Sequence, residues 1–392
     1  MQLAALTIFH VRIPLRREVR HASHSRTETD SLVVRSDWTS GLTGWGEGLP
    51  RHYVTGETID DAWRLLETTD FDAQLGGPDR SLDDLLASIL RLDLGPLPEG
   101  VRTCFGNSAR CAVELSLLDG LCRHEGIPFS RLVDLAPQCA AIRGHYPVTC
   151  YSAAITSMSR RKAAFQALLF RAARFRACKI KVTGRPEDPE LVRRLQRILG
   201  SRIELRIDAN ESWGIDSLRE RMESFVPYAV KAVEQPVPIA EVPRLAGSRG
   251  TWPIPIMLDE SLCSLDDADT AIREGTCDLF NIRLSKCGGF LPALRIAARA
   301  QAAGIGYQLG CQVGETGILS AAGRHFASAV SGLLWTEGSF DRFLVRERLT
   351  KQDLTFGWGG RAAPLVGPGL GVDIDREALE RVTIRSMQRV ID

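Results

Sequence analysis

The sequence predicts an α/β barrel of eight parallel strands, preceded by a smaller α+β domain. Three observations lead there. From about residue 146 onward, short apolar runs alternate with amphipathic helical stretches, eight such runs can be counted, and a polar residue ends one run after another. Repeating strand–helix units imply parallel pairing, which a closed barrel and an open doubly wound sheet share. The count of eight and the placement of the polar residues favour the barrel. At 392 residues the chain has room for two domains, one of them a full barrel of roughly 250 residues.

Taken in order, residues 1–13 alternate like a first strand and lack the basic start of a signal peptide. Leu32-Val33-Val34-Arg35 reads as a strand. The run Gly44-Trp45-Gly46-Glu47-Gly48 reads as turn-rich. It is no phosphate loop, because no Gly-Lys-Ser/Thr follows and no helix opens on it. Residues 109–121 read as a helix with Ala112, Leu115, Leu118 and Leu121 on one face. In the second part, 146–151 is read as the first strand and Cys178-Lys179-Ile180-Lys181-Val182 as the second. Asp188-Pro189 then reads as an N-cap with proline at the first helical position, opening a helix that stops at Gly200. Strands follow at 203–207, 230–233, 254–258, 279–284, 306–309 and 333–335, with helices near 218–225, 266–273 and 291–303.

Composition narrows the function. A formal net charge of +1 gives no global field for nucleic acid or an anionic membrane. Arginines cluster at Arg16, Arg17 and Arg20, without a longer basic run or interleaved aromatics. No stretch approaches the roughly 20 apolar residues that span a membrane. Ten cysteines include no C-x-x-C pair, so neither a zinc knuckle nor a thioredoxin motif is present, and a reduced, cytoplasmic compartment is expected.

The polar residues at the strand ends form a ladder. Asp208 ends the third strand, Glu234 the fourth, Asp259 the fifth, and Lys286 follows the sixth, at steps of 26, 25 and 27 residues. Each step is one strand–helix unit, so these residues become neighbours at the carboxyl end of a barrel, where active sites of this fold lie. A single Asp after a strand is usually a loop cap, but independent caps have no reason to share a unit-length period. Three converging carboxylates need a cation. They are hard oxygen ligands with no His or Cys beside them, which suits Mg²⁺ better than Zn²⁺.

Lys179 and Lys181 are two apart on a strand and share a face. If that face is the barrel interior, crowding lowers a lysine from its ordinary value of about 10.4 toward neutrality, at a cost of about 4 kcal/mol. Such a lysine is a usable general base. Lys286 would approach from the opposite side, and two bases on opposite faces of one carbon are what racemisation requires.

Lys179-x-Lys181, Asp208-Ala-Asn210, Glu234-Gln-Pro236, Asp259-Glu260-Ser261 and Lys286-x-Gly288-Gly289 together resemble the signature of the muconate lactonizing enzyme (muconate cycloisomerase) and mandelate racemase-like family of the enolase superfamily. The resemblance covers nearly the whole chain. It implies a (β/α)8-type modified TIM barrel with an N-terminal capping domain: residues 1–130 as the cap, 131–350 as the barrel, and 351–392 as a segment returning to the cap, within which 366–372 resembles the family's closing segment. It also implies Asp208, Glu234 and Asp259 as Mg²⁺ ligands, Lys181 and Lys286 as acid and base, and Lys179 as a group that binds the substrate carboxylate and depresses Lys181. Asn210 and Glu260 would orient the ligands.

The implied reaction is abstraction of the proton α to a carboxylate through a stabilised enediolate, giving racemisation, epimerisation or cycloisomerisation. A β-eliminating dehydratase of the o-succinylbenzoate synthase type would use the same groups. A barrel that only binds a ligand is the reading of another class, and the intact set of carboxylates and lysines speaks against it. Dipeptide epimerases of this branch carry Asp-x-Asp on the eighth strand, where this chain has Glu337-Gly338-Ser339. Glu337 is a candidate to hold a cation or act as an acid. Gln308, Gln312 and Glu315 are candidates near the seventh strand. Two capping loops, 16–28 with Arg20, His21 and His24, and 49–57 with Tyr53, are expected to set specificity, the first as a lid. The expected partner is a small-molecule carboxylate, not nucleic acid or a membrane, and a homo-oligomer is expected.

Overall fold

A computed structural model of the chain describes residues 2–20, 25–77, 81–156 and 159–392, apart from the side chains of Arg20 and Ser25. The chain opens with β1 (Leu3–Arg20), β2 (Ser25–Trp38) and β3 (Thr43–Gly48). After the helix Asn107–His124 come β4 (Thr149–Cys150), then β5 (Ala153–Ile155), β6 (Ala177–Lys181), β7 (Glu204–Asp208), β8 (Val230–Glu234), β9 (Ile256–Leu258), β10 (Leu279–Ile282), β11 (Gly306–Leu309) and β12 (Leu333–Thr336). Two last strands, β13 (Arg361–Ala362) and β14 (Thr383–Val390), follow.

The first sheet is antiparallel in the order β14-β1-β2-β3, so the end of the chain adds its outer strand. Along β1 the buried positions change phase. Leu6 and Ile8 are buried, then Val11, Ile13 and Leu15. The pairing with β14 slips between His10 and Val11, and this bulge lets both halves of one long strand bury their apolar side.

The glycine run expected as a turn is β3 itself. Its glycines lie two apart and face the helix Asn107–His124, which has small residues four apart. A Cβ on Gly44, Gly46 or Gly48 would stand 2.0, 2.1 or 1.9 Å from the carbonyl oxygens of Ser116, Ala112 and Ser108. Two strand residues rise about 6.6 Å and four helical residues about 6 Å, so the two patterns stay in step. That helix is buried along nearly its whole length rather than on one face, since the sheet lies on one side and the barrel on another.

The eight strands β5 to β12 form one parallel sheet in sequential order with no reversal. Tyr151 bridges to Thr336, and the Ser152 N–H donates to the Thr336 carbonyl at 2.8 Å, joining the first strand to the eighth. The sheet is therefore a closed barrel and not an open doubly wound sheet. The first strand lies later than the expected 146–151. Thr149 and Cys150 pair antiparallel with β13 instead, and the barrel begins at Ala153. Asp188 is the first helical residue rather than the cap. Its Oδ2 accepts from the Thr183 and Arg185 N–H groups at 2.8 and 3.0 Å, fixing the loop before the helix Asp188–Leu199.

Buried carboxylates join the sheet-and-helix unit to the barrel. Glu47 on β3 accepts from Thr316 N, Thr316 Oγ1 and Leu319 N at the start of the helix Gly317–Ala329. Glu114 accepts from Phe290 N and Leu291 N at 2.6 and 3.0 Å, at the start of the helix Phe290–Ala302. Helix starts carry free N–H groups and the positive dipole end, so each acid is satisfied where it is buried. In the segment after the barrel, Gly369 N donates to Ile127 O and Leu370 N to Asp119 Oδ1. Among the described residues no helix is long and apolar enough to cross a membrane.

Candidate active site

Strand register builds the site. Lys179 pairs with Arg206, while Lys181 pairs with Asp208 and Asp208 with Glu234, so three charged groups form one row across β6, β7 and β8. Residues two apart share a face, which puts Lys179 and Arg206 one layer below Lys181 and Asp208. Asp259 comes directly after β9 ends at Leu258.

The charges interlock. Lys179 Nζ lies 3.2 Å from both oxygens of Glu234, 2.9 Å from Glu337 Oε2 and 3.8 Å from Asp208 Oδ2. Arg206 donates to Gln308 and, at 3.1 Å, to Glu337 Oε1, with its guanidinium 4.7 Å over the Trp335 ring. Arg283 is paired with Asp259 and lies 3.4 Å from Glu234 Oε1, which also accepts from Asn281 Nδ2 at 2.8 Å. Lys286 is fully buried and donates to Asp259 O at 2.7 Å, Asp259 Oδ1 at 2.8 Å and Asn281 O at 2.8 Å.

Protonation follows from these contacts. Burial works against the Asp259 carboxylate, yet Arg283 and Lys286 hold it down to about 2. Burial likewise opposes Glu337, and Lys179 and Arg206 pull it below the usual range. At Glu234 the pulls conflict: burial and the neighbouring carboxylates push it up to about 8, against Lys179. The donors seated directly on its oxygens favour the carboxylate, and the raised Lys179 agrees with that state. Burial lowers Lys181, and Lys179 and Arg283 add to it against Asp208 and Glu260. The expected lowering thus reaches Lys181 but not Lys179, nor Lys286, which Asp259 holds up against burial.

A cavity of ≈ 200 Å³ opens at this end of the barrel. Lys179, Lys181, Asp208, Asn210, Glu260, Gln312 and Glu337 line it, and so does Tyr53 from the segment before the helix Asn107–His124. Glu234, Asp259 and Lys286 are buried outside that lining. Among the described residues no three His, Cys, Asp or Glu lie close enough together to hold an ion as they stand, because Lys179 and Arg283 stand between the carboxylates. Asn210 donates from Nδ2 to Glu260 Oε1 at 3.3 Å, and its own N–H reaches Asp208 Oδ1 at 3.1 Å.

His21, His24 and the side chain of Arg20 lie outside the described residues. Arg17 and Val19 of the same segment line the cavity, and Arg16 Nε donates to Val345 O at 2.9 Å. This segment is not a plain loop: its described residues continue the β1–β2 pairing out to Arg20 and Ser25. Arg51, in the second expected loop, is a buried clamp that donates to Thr29 Oγ1, Asp30 O, Pro50 O and Val313 O.

Arg206, Asn281, Arg283 and Gln235 are site residues that sequence reasoning missed. Gln235 Oε1 accepts from Asp259 N and Ser261 N, and its Nε2 donates to Ser261 Oγ, stapling two motif loops together. A signal for Arg206 was present, since it lies two before Asp208 on the same face of a strand, between the apolar Leu205 and Ile207.

Residues 162–378 match the family described as Enolase C-terminal domain-like. The L-Lys-D/L-Arg epimerase of Methylococcus capsulatus is 31% identical over 383 residues, covering 95% of this chain and 99% of that one. Muconate cycloisomerase 1 of Rhodococcus opacus is 28% identical, covering 95% of each chain. The crystal structure of a dipeptide epimerase from Cytophaga hutchinsonii, complexed with Mg and the dipeptide D-Ala-L-Val, superposes with a TM-score of 0.84 at 23% identity, covering 99% of this chain and 100% of that one. With a family match over more than half its length and relatives aligned almost end to end, the chain belongs to the enolase superfamily, in its muconate-lactonizing and mandelate-racemase-like family, and is an isomerase.

Proposed function

We propose that the protein racemises or epimerises a small amino-acid-derived carboxylate by moving the proton α to that carboxylate, with Lys181 and Lys286 as the acid–base pair. The observation that carries this reading is the register row Lys181, Asp208, Glu234, with Lys181 lowered and facing the cavity. Lys286 follows the sixth barrel strand and Lys181 ends the second, four strands apart in a ring of eight and thus on opposed sides. To act, Lys286 turns from the Asn281 carbonyl toward the cavity. Lys179, held by Glu234 and Glu337, stays protonated and is suited to bind the substrate carboxylate.

Asp208, Glu234 and Asp259 would hold Mg²⁺. The donor set fits, being hard oxygens on consecutive strand ends, and the place already draws the cations Lys179 and Arg283. Asn210 Oδ1, beside Asp208, is buried with no partner among the described residues, as suits an acceptor close to such an ion. Bound there, the ion supplies positive charge that stabilises the enediolate formed when the proton leaves. Arg17 and Val19, which line the cavity, support a lid role for the outer end of β1, which would keep water out.

The test is deuterium uptake at the α-carbon in D₂O, followed by proton NMR for both enantiomers. Lys181→Met and Lys286→Met should each abolish exchange of one enantiomer, by about 10³-fold, and spare the other. A cycloisomerisation or β-elimination would instead show one dominant lysine. Full activity in both variants would rule out lysine proton transfer.

A further inference from the structure

The helix Arg160–Ala172, which follows the first barrel strand, is packed the wrong way round for one that faces only water. Its buried side chains are Ala163 and Ala167, while Phe165, Leu168 and Leu169 are 60%, 56% and 49% exposed. At about 3.6 residues per turn, Arg161 and Lys162 fall on that same outward face, and both are exposed. No acid stands in the first turn, so these cations oppose the helix dipole instead of complementing it. The helix Asp188–Leu199 packs alongside and adds the exposed Arg194 and Arg197. An apolar patch rimmed with cations at the expense of its own helix is suited to being covered.

The chain carries a complement to this face. Residues 160–202 hold thirteen Lys or Arg against three Asp or Glu, whereas residues 57–99 hold eleven Asp or Glu against three Arg. The acidic stretch forms the helices Ile59–Thr68, Phe71–Leu75 and Leu82–Leu90 and the extended run after them. In that run Leu97 is 45% exposed between the exposed Asp93 and Glu99. Thr69 Oγ1 reaches Leu94 O at 3.4 Å, which holds the run beside the exposed Glu67. Apolar side chains among cations thus have their match in an apolar side chain among acids. The two lie on opposed sides of the molecule. The acidic run continues to Arg102, whose Nη2 is 3.1 Å from Asp267 Oδ2 in the helix after the fifth barrel strand, while Arg160–Ala172 packs on the first. One molecule cannot bring its own two faces together, but a second copy can.

We propose that the outward face of the helix Arg160–Ala172 docks the acidic 57–99 region of a second copy of this chain, head to tail. A two-fold contact of this helix with itself would set Arg161 and Lys162 against the other copy's basic rim, which like charge opposes. The contact is heterologous, so copies joined by it form a ring or a growing row rather than a closed dimer. It stands independently of the proposed reaction.

Sedimentation velocity of the full chain tests this. At low salt the wild type should sediment as species of more than one chain, and about 0.5 M salt should weaken the association. Phe165→Ser/Leu169→Ser and, separately, Arg161→Glu/Lys162→Glu should each weaken it about tenfold or more. Glu67→Lys/Glu99→Lys should do the same from the acidic side. All six side chains are exposed, so circular dichroism should stay unchanged. The Arg161→Glu/Lys162→Glu and Glu67→Lys/Glu99→Lys chains, each dispersed alone, should reassociate when mixed, since each face then meets its complement. A wild type that stays a single chain, variants that assemble as before, or a mixture that stays dispersed overturns the proposal. So does a single-chain wild type that binds phosphatidylglycerol vesicles and loses them in Phe165→Ser/Leu169→Ser, which would make the patch membrane-facing.

Discussion

Two sets of buried acids are handled in opposite ways by this fold. At the seam between the first sheet and the barrel, Glu47 and Glu114 are met by neutral donors, the backbone N–H groups and a hydroxyl at two helix starts. At the barrel's carboxyl end, Asp208, Glu234, Asp259 and Glu337 are matched by lysine and arginine side chains instead. The seam donors are fixed by helices and cannot change partner without unfolding. The site's cations sit on rotatable stems and can. Orphaned polar atoms occur in both places, Ser108 Oγ and His325 Nδ1 near the seam and Asn210 Oδ1 and both ends of the Gln312 amide at the site, but only the second group stands beside the cavity. A buried acid with fixed partners holds the structure together, whereas one with exchangeable partners beside unmet groups is suited to bind something.

The sharpest way to break that contrast is to remove a seam acid. Glu47→Ala leaves the Thr316 and Leu319 N–H groups buried and unpaired, and should lower the unfolding free energy by about 4 kcal/mol in urea titration. Gln312→Met, in the site, should cost nothing, since it removes two atoms that lack partners. If both variants lose similar stability, satisfied and unsatisfied burial do not divide structure from binding here.

A slightly smaller effect probes how dry the seam is. His325 lies fully buried in the helix Gly317–Ala329, with Nε2 3.1 Å from the Leu370 carbonyl and the Phe129 ring 5.9 Å away. Burial pushes it from 6.5 down to about 4; Leu370 opposes the shift and Arg324 adds to it. Below pH 6.5 the unfolded chain takes up a proton that the folded chain refuses until about pH 4. The stability tied to neutral His325 is therefore complete above 6.5 and is lost as pH falls toward 4, by about 3 kcal/mol. Urea unfolding of wild type and His325→Gln across that window should show the gap between them changing by this amount, in the variant's favour. A constant gap would mean that the folded seam admits the proton as freely as water does.

How much of this could be read in advance depended on how local each signal was. The carboxylate ladder and the lysines were legible because unlike residues interrupt apolar strands at intervals of one strand–helix unit, and a barrel converts that interval into adjacency. Arg206 and Arg283 sit within strands read as apolar, and their roles as counterions appear only once the ring has closed around Glu337 and Asp259. The first barrel strand was misplaced because Thr149 and Cys150 have the right composition for it. What takes them out of the ring is β13, a partner more than 200 residues away that no local pattern reveals. Gln312 was visible as a polar residue after the seventh strand, but its unmet amide is a property of the packed loop.

The smallest effect expected concerns the glycines that let the seam close. Gly46 has no need of glycine's conformational freedom, as it is absent from the positions with positive φ, yet an added Cβ would lie 2.1 Å from Ala112 O and 2.6 Å from Ser116 N. Both are backbone atoms of a helix wedged between sheet and barrel, so neither can turn aside. Gly46→Ala must push the helix Asn107–His124 off the sheet, and Glu114 on that helix is driven with it against the start of the helix Phe290–Ala302, spoiling its bonds to Phe290 and Leu291. The expected cost is about 2 kcal/mol, read as a fall in melting temperature. Gly214 is the control. Its φ of −83° suits alanine and nothing lies within 4 Å of the added carbon, so Gly214→Ala should raise stability by about 0.5 kcal/mol through the unfolded chain. If Gly46→Ala is as harmless as Gly214→Ala, the helix has room to give, and the alternation of small residues on strand and helix is not what seats it.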